Sequence, residues 1–241
     1  MDSLAGQTAV ISGASSGIGA AVAVRLAACG VGIFLVGRDA QRLEGVAGRV
    51  RAQGADVHIV RADLTQGEDL DRLQSTVEET VGAVEILIHS AGTIATGRVE
   101  DMPEGLFLDQ LKINTIAPYA LTRRLLPGLR QRRGQIVFIN SLAGLNTHSG
   151  LAQYSATKFA LRAVADALRA ELGDDGVRVM SIYPGKTDTP MQQSLYETAG
   201  KDYPRAQLVP PEAVAESVVT ALRTPRTAEI IDLTIRHANK V

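Results

Sequence analysis

The 241-residue sequence has one cysteine, Cys29, so no disulfide can form within the chain. Its place in an Ala-rich helical stretch gives it the ordinary role of a buried free thiol, which suits a reducing cytosol. An excess of charge is also missing. The 25 Lys and Arg residues against 26 Asp and Glu leave a net charge of -1, which supplies no broad basic field for nucleic acid or an anionic membrane. No apolar run approaches the roughly 18 residues of a membrane span, and Met1 to Gly6 carries an acid without a basic leader segment. These absences leave small-molecule chemistry in a soluble, cytoplasmic protein as the expectation.

What is present is a hydrophobic fraction of 45%, enough to wrap a large core in one domain spanning 1–241. Short Val- and Ile-rich runs recur at Thr8 to Ser12, Val31 to Val36, Val57 to Val60, Ile86 to His89, Ile136 to Asn140, Val177 to Ile182 and Glu229 to Leu233. Each reads as a buried strand. Between them, Val22, Leu26 and Cys29, then Leu43, Val46 and Val50, then Leu70, Leu73 and Val77 recur at helical spacing. Strand and helix alternating this way predict an α/β fold, a Rossmann-type doubly wound parallel sheet in three layers. No low-complexity linker or solenoid repeat interrupts it. The segment 187–211 stands apart: Pro190, Pro204, Pro210 and Pro211 lie among Met191, Leu195, Tyr196 and Tyr203, so it reads as neither clean helix nor strand and is expected to be a substrate lid.

Four places carry chemistry. The first strand runs into Ser12-Gly13-Ala14-Ser15-Ser16-Gly17-Ile18-Gly19, where glycines permit a tight turn and close approach. The following helix N-terminus attracts a phosphate, and Ser15 and Ser16 add hydroxyl donors. The spacing G-x-x-x-G-x-G is not the usual dinucleotide fingerprint, and a purely structural turn is the alternative. Second, Ser141 closes a strand, and Tyr154 and Lys158 lie one helical turn apart on one face of the next helix. A phenol near pKa 10 is a poor acid–base group at neutral pH, so a neighbouring ammonium on Lys158 is expected to lower it (roughly 10 in model peptides). Ser141 would hold a substrate oxygen while Tyr154 exchanges its proton and a nicotinamide exchanges a hydride. Third, Pro118 should free the carbonyl of Asn114 inside a helix, to hold a water leading toward Lys158; a merely kinked helix is the alternative. Fourth, the second strand ends in Val36-Gly37-Arg38-Asp39. With Gly37 where an acid would bind the 2′-hydroxyl of NAD, and Arg38 offering a fork for a 2′-phosphate, NADP(H) is favoured. Asp39 reads as a helix N-cap, though it could also approach the ribose.

In order and spacing, these motifs resemble the short-chain dehydrogenase/reductase family, single-domain branch, and are similar to its 3-oxoacyl-carrier-protein reductase-like members, over nearly the whole chain. The resemblance implies a cofactor half near 1–100 and a catalytic and substrate half near 101–241. It implies that Asn114, Ser141, Tyr154 and Lys158 form the family's tetrad, with Tyr154 as acid–base, Lys158 binding the ribose and tuning Tyr154, and Asn114 supporting a proton relay. Asp63-Leu64 matches the pair bordering the adenine. Pro184-Gly185 matches the turn after the sixth strand, and Thr187 and Thr189 match positions contacting the nicotinamide amide and the diphosphate. The family's Asn-Asn-Ala-Gly after the fourth strand is here His89-Ser90-Ala91-Gly92, so both amides are missing and Ser90 can replace only part of their hydrogen bonding.

The remaining histidines are assigned no metal chemistry. His89, ending an apolar strand, is expected to be packed with a backbone partner. His148 lies in the loop 145–151, bordering substrate or simply exposed. His58 and His237 have no Cys, His or Asp at metal-ligand spacing, so no metal site is expected there. The apolar faces of 106–129 and 159–172 imply, by the resemblance, a homodimer or homotetramer. Expected, then, is an NADP(H)-dependent oxidoreductase acting on a carbonyl or alcohol. Two rivals remain: a non-catalytic NADP(H) sensor, and a sugar-nucleotide epimerase or dehydratase. An intact Ser-Tyr-Lys set argues against the first, and the short chain beyond Pro211 against the second.

Overall fold

The computed structural model describes residues 2–238. Seven strands, β1 (Thr8–Ser12), β2 (Gly32–Gly37), β3 (Val57–Arg61), β4 (Ile86–His89), β5 (Gln135–Ile139), β6 (Arg178–Pro184) and β7 (Asp232–Ile235), form one parallel sheet in the order β3-β2-β1-β4-β5-β6-β7. The interleaved helices are α1 (Gly17–Ala27), α2 (Ala40–Arg51), α3 (Gly67–Val81), α4 (Glu104–Leu111), α5 (Ala117–Gln131), α6 (Ala152–Leu172), α7 (Pro190–Thr198) and α8 (Pro211–Leu222). The Rossmann-type doubly wound sheet is as expected. Strand order reverses between β1 and β4, and a cleft opens beyond the strand ends at such a switch point.

Alternation along each strand explains the layers. Ala9 and Ile11 of β1, with Ile33, Leu35 and Ile88, face Leu26 of α1, Leu43 of α2 and Val218 of α8. Val10, Phe34, Leu87 and Phe138 face the other way, toward Leu73 of α3, Leu125 of α5 and Leu161 of α6. Because both faces are covered, the central strands carry apolar residues throughout, which is why they read as continuous hydrophobic runs. His58 stacks on Phe34 with ring centroids 4.6 Å apart.

Two local expectations need correction. The segment 187–211 contains the regular helix α7. Thr189 caps it by accepting from the amide of Gln192 at 3.2 Å, and Pro190 occupies the first turn, where a missing N–H costs nothing. The prolines read as breakers thus include a helix-starting one. The rest of the segment is irregular, with a 3-10 turn at Arg205–Gln207 and an isolated bridge of Thr187 to Val209. Lys201 is exposed and lines the cleft, and Arg205, also exposed, pairs with Asp188 at 2.7 Å. Asn114 does not sit in an ordinary helix: α4 and α5 are joined through a π-helical turn, Lys112–Ile116, in which the amide of Ala117 reaches back to the carbonyl of Lys112. Pro118 follows directly, in the first turn of α5.

Phe138 is fully buried and stacks on His89 at 4.8 Å. Phe138→Ala is expected to cost about 3–5 kcal/mol in urea unfolding; a loss below about 1 kcal/mol would show that this face of the sheet can collapse around the gap.

Candidate active site

A cleft of about 1390 Å³ runs along the C-terminal ends of the strands. Every residue singled out from the sequence as catalytic or cofactor-binding lines it except Gly19 and Asn114, and both of those lie directly behind its wall. A Cβ on Gly19 would fall 2.4 Å from the carbonyl oxygen of Gly13, and one on Gly92 would fall 3.1 Å from Oδ1 of Asn114.

At the β1 end the turn needs its glycines. Gly13 and Gly17 have φ of 68° and 54°, in the left-handed region that side chains avoid. A Cβ on Gly13 would meet the amide nitrogen of Ala91 at 2.5 Å, so the loops after β1 and β4 touch backbone to backbone. Helix α1 begins beside them without a side-chain cap on Ser16 and with no acid in its first turn, leaving its first N–H groups and positive dipole end free for an anion. Thr189 of the far wall packs against this turn, its Cγ2 3.0 Å from the Cβ position of Gly17.

Sequence reasoning passed over Ser12. Its buried hydroxyl donates to the carbonyl of Ile88 at 3.3 Å and accepts from the amides of Ser90 and Ala91 at 3.2 and 3.4 Å. It thus stitches β1 to the loop after β4; the available signal was a polar residue closing an apolar strand. His89 is packed as expected, but its partner is a side chain: Nε2 lies 2.8 Å from Oγ1 of Thr122. Burial depresses its pKa to about 3, so the imidazole is neutral.

At the β2 end Arg38 is exposed on the cleft rim, and its guanidinium makes no ion pair among the described residues. Asp39 is turned away as the cap of α2, accepting from the amide of Arg42 at 3.0 Å. Asp63 accepts from the amide and the hydroxyl of Thr65 at 3.0 and 2.8 Å, which holds the Asp63-Leu64 corner against the cleft. Across the sheet, Thr187 donates to the carbonyl of Gly185 at 3.0 Å.

Ser141, Tyr154 and Lys158 converge at the middle of the cleft. Ser141 caps the 3-10 turn Leu142–Gly144, its Oγ accepting from the amide of Ala143 at 3.1 Å. Asn140, a second residue given no role from the sequence, donates to the carbonyl of Lys158 at 3.2 Å and accepts from the amide of Ser141 at 2.9 Å. Lys158 is buried, with Nζ donating to the carbonyl of Ile139 at 3.2 Å and lying 5.8 Å from the Tyr154 ring centroid. Behind it, Asn114 donates to the carbonyl of Thr93 and to Oγ1 of Thr157 at 2.9 and 3.0 Å and accepts from the amide of Thr93 at 2.8 Å. Thr157 in turn donates to the carbonyl of Tyr154.

The electrostatics differ from the expectation that Lys158 lowers the Tyr154 pKa. Burial raises the phenol above its usual value, with hydrogen bonding to Ser141 pulling weakly the other way. Burial also lowers Lys158 to about 8, so it holds its proton less tightly than a solvated lysine. Desolvation acts against both charged forms. His148 is exposed and lines the cleft from its loop.

A model of the short chain dehydrogenases matches residues 7–200. The chain belongs to this family. An uncharacterised oxidoreductase of Staphylococcus epidermidis is 33% identical over 231 residues, covering 95% of this chain and 96% of that one. Among solved structures, an alcohol dehydrogenase from Thermococcus sibiricus complexed with 5-hydroxy-NADP superposes with a TM-score of 0.89 at 27% identity, over 98% of each chain. The L-sorbose reductase of Gluconobacter frateurii, complexed with NADPH and L-sorbose, gives a TM-score of 0.87 at 27% identity over 98% of each chain. This short-chain dehydrogenase is therefore an oxidoreductase with a Rossmann-type sheet.

Its neutral, buried His89 in place of the family's asparagine carries a pH dependence. The unfolded chain takes up a proton at His89 below about pH 6.5, while the folded chain resists until about 3. Stability from this residue is thus complete above the unfolded pKa and is lost as pH falls through the window. Between pH 6.5 and 4.5 the loss should be about 2–3 kcal/mol. His89→Asn is expected to flatten that slope in urea unfolding at the two pH values; an unchanged slope would mean the imidazole is reached by water.

Proposed function

We propose that this short-chain dehydrogenase is an NADP(H)-dependent reductase of a ketone or aldehyde, running in reverse on the matching alcohol. The observation that carries the reading is the convergence of Ser141, Tyr154 and Lys158 on one stretch of a cleft whose other end offers the guanidinium of Arg38, which has no ion pair among the described residues. NADP(H), when bound, supplies or accepts the hydride. Its diphosphate would rest on the Gly13 to Gly19 turn and the uncapped N-terminus of α1, beside Thr189, and its adenine against Asp63 and Leu64. Arg38 would take the 2′-phosphate, since Asp39 is committed to capping α2. Ser90, Ala91 and Gly92 would border the central part, with Lys158 at a ribose and Pro184, Gly185 and Thr187 at the nicotinamide. The two structural relatives described with NADP-type ligands agree with this choice.

The chemistry follows from the protein groups. The hydroxyl of Ser141 donates to the carbonyl oxygen of the substrate and orients it. Tyr154, held above its ordinary pKa by burial, keeps its proton at neutral pH and gives it to that oxygen as charge develops there. Lys158, poised near 8, then returns a proton toward the phenolate, with the π-helical turn at Asn114 as the route for relayed protons. Exposed Leu106, Leu108, Ile116, Tyr119 and Phe159 on α4 to α6 form the face through which the protein would pair with copies of itself.

Two measurements test the assignment. By fluorescence titration NADPH should bind about 10- to 100-fold tighter than NADH, and Arg38→Ala should erase the difference by weakening NADPH alone. On a panel of ketones and aldehydes, Tyr154→Phe should lose at least about 100-fold in kcat while still binding NADPH. Equal affinity for the two cofactors would overturn the cofactor assignment. Binding without turnover of any carbonyl or alcohol would make the protein a cofactor sensor.

A further inference from the structure

Resting on the reductase reading, we infer that the substrate carries an anionic group, a carboxylate or a phosphate, recognised by Lys186. Lys186 lines the cleft just after Pro184 and Gly185, beyond the end of β6. Its backbone is fixed: its carbonyl accepts from the amide of Val209 at 2.9 Å, and the amide of Asp188 donates to the carbonyl of Val209 at 2.9 Å. Its ammonium stands over the Tyr196 ring of α7, 5.7 Å from the centroid, and reaches the Tyr196 hydroxyl at 3.4 Å. That is a neutral partner, which orients the cation without neutralising it.

The surrounding charge is one-sided. Lys201 and Arg236 line the same part of the cleft, and the Cβ position of Gly185 lies 3.7 Å from Cα of Arg236. The nearest acid in sequence, Asp188, is spent on the return limb of the lid, accepting from Tyr203 at 2.8 Å and Arg205 at 2.7 Å. Asp63 is the one carboxylate among the described lining residues, and it sits after β3 at the opposite edge of the sheet. A cleft walled by low-dielectric protein focuses such a field. Met191 and Leu195 of α7 share the wall, so the body of the substrate between carbonyl and anion is expected to be apolar.

The test is calorimetric titration of the protein saturated with NADP+, which cannot reduce a carbonyl, so binding is read apart from turnover. Levulinate and longer keto acids are each paired with their methyl esters, and dihydroxyacetone phosphate with dihydroxyacetone, which separates carboxylate from phosphate. At least one anion should bind about tenfold or more tighter than its neutral partner. The preference should vanish in Lys186→Met and reverse in Lys186→Glu, with NADPH affinity as the control for folding. Equal binding of every pair, or a preference that survives Lys186→Met, overturns the inference. A Lys186-dependent preference without turnover of any carbonyl would leave the anion site standing and remove the reductase reading instead.

Discussion

Asn140 ties the end of β5 to α6, and the arrangement of the cleft depends on that tie. One amide side chain, 4% exposed, donates to the Lys158 carbonyl and accepts from the Ser141 amide, so strand, turn and helix are fixed relative to one another at a single point. The approach is so close that a Cβ on Gly144 would fall 2.6 Å from Oδ1 of Asn140 and 3.0 Å from the Lys158 carbonyl oxygen. From there the order spreads through the buried pairs of Lys158 with Ile139 and Thr157 with Asn114, and outward from Asn114 to the exposed Thr93. A buried network of this kind specifies one geometry only when each member is satisfied, and in this one the side chain of Asn114 has partners on both its donor and acceptor atoms.

Electrostatics divide the cleft into three. Arg38 stands at the β2 end, an uncapped helix N-terminus with its dipole lies between, and Lys186, Lys201 and Arg236 stand toward β6 and β7. Between these positive regions, desolvation disfavours the charged forms of both Tyr154 and Lys158. The protein on its own therefore holds both groups nearer to neutrality than a solvated pair would be. A neutral phenol beside an ammonium that gives up its proton more readily than in water is suited to giving a proton, the direction that carbonyl reduction needs.

Most of the fold was legible in the sequence because a parallel sheet buried on both faces leaves unbroken apolar strands, and the runs at Ile86 to His89 and Thr8 to Ser12 mark their elements to the residue. The cleft-lining positions were legible too, since glycines with positive φ and the Tyr154 and Lys158 spacing report backbone and helix geometry directly. Three features were not. Helix α7 was hidden because prolines read as breakers include Pro190, whose position after Thr189 makes it a starter. The π-helical turn at Asn114 depends on its packing against Thr157 and Thr93, contacts 43 and 21 residues away in the chain. The shift of Tyr154 above its usual pKa depends on burial, which no local spacing encodes.

In the proposed complex one cleft holds NADP(H) with Arg38 at the phosphate end and Tyr154 at the reacting end. A crystal structure of the complex with NADP+ tests it most directly. The account predicts the 2′-phosphate within hydrogen-bond reach of Arg38 and the nicotinamide beside Tyr154 and Gly185. A 2′-phosphate turned away from Arg38, or a nicotinamide lodged away from Tyr154, would contradict it.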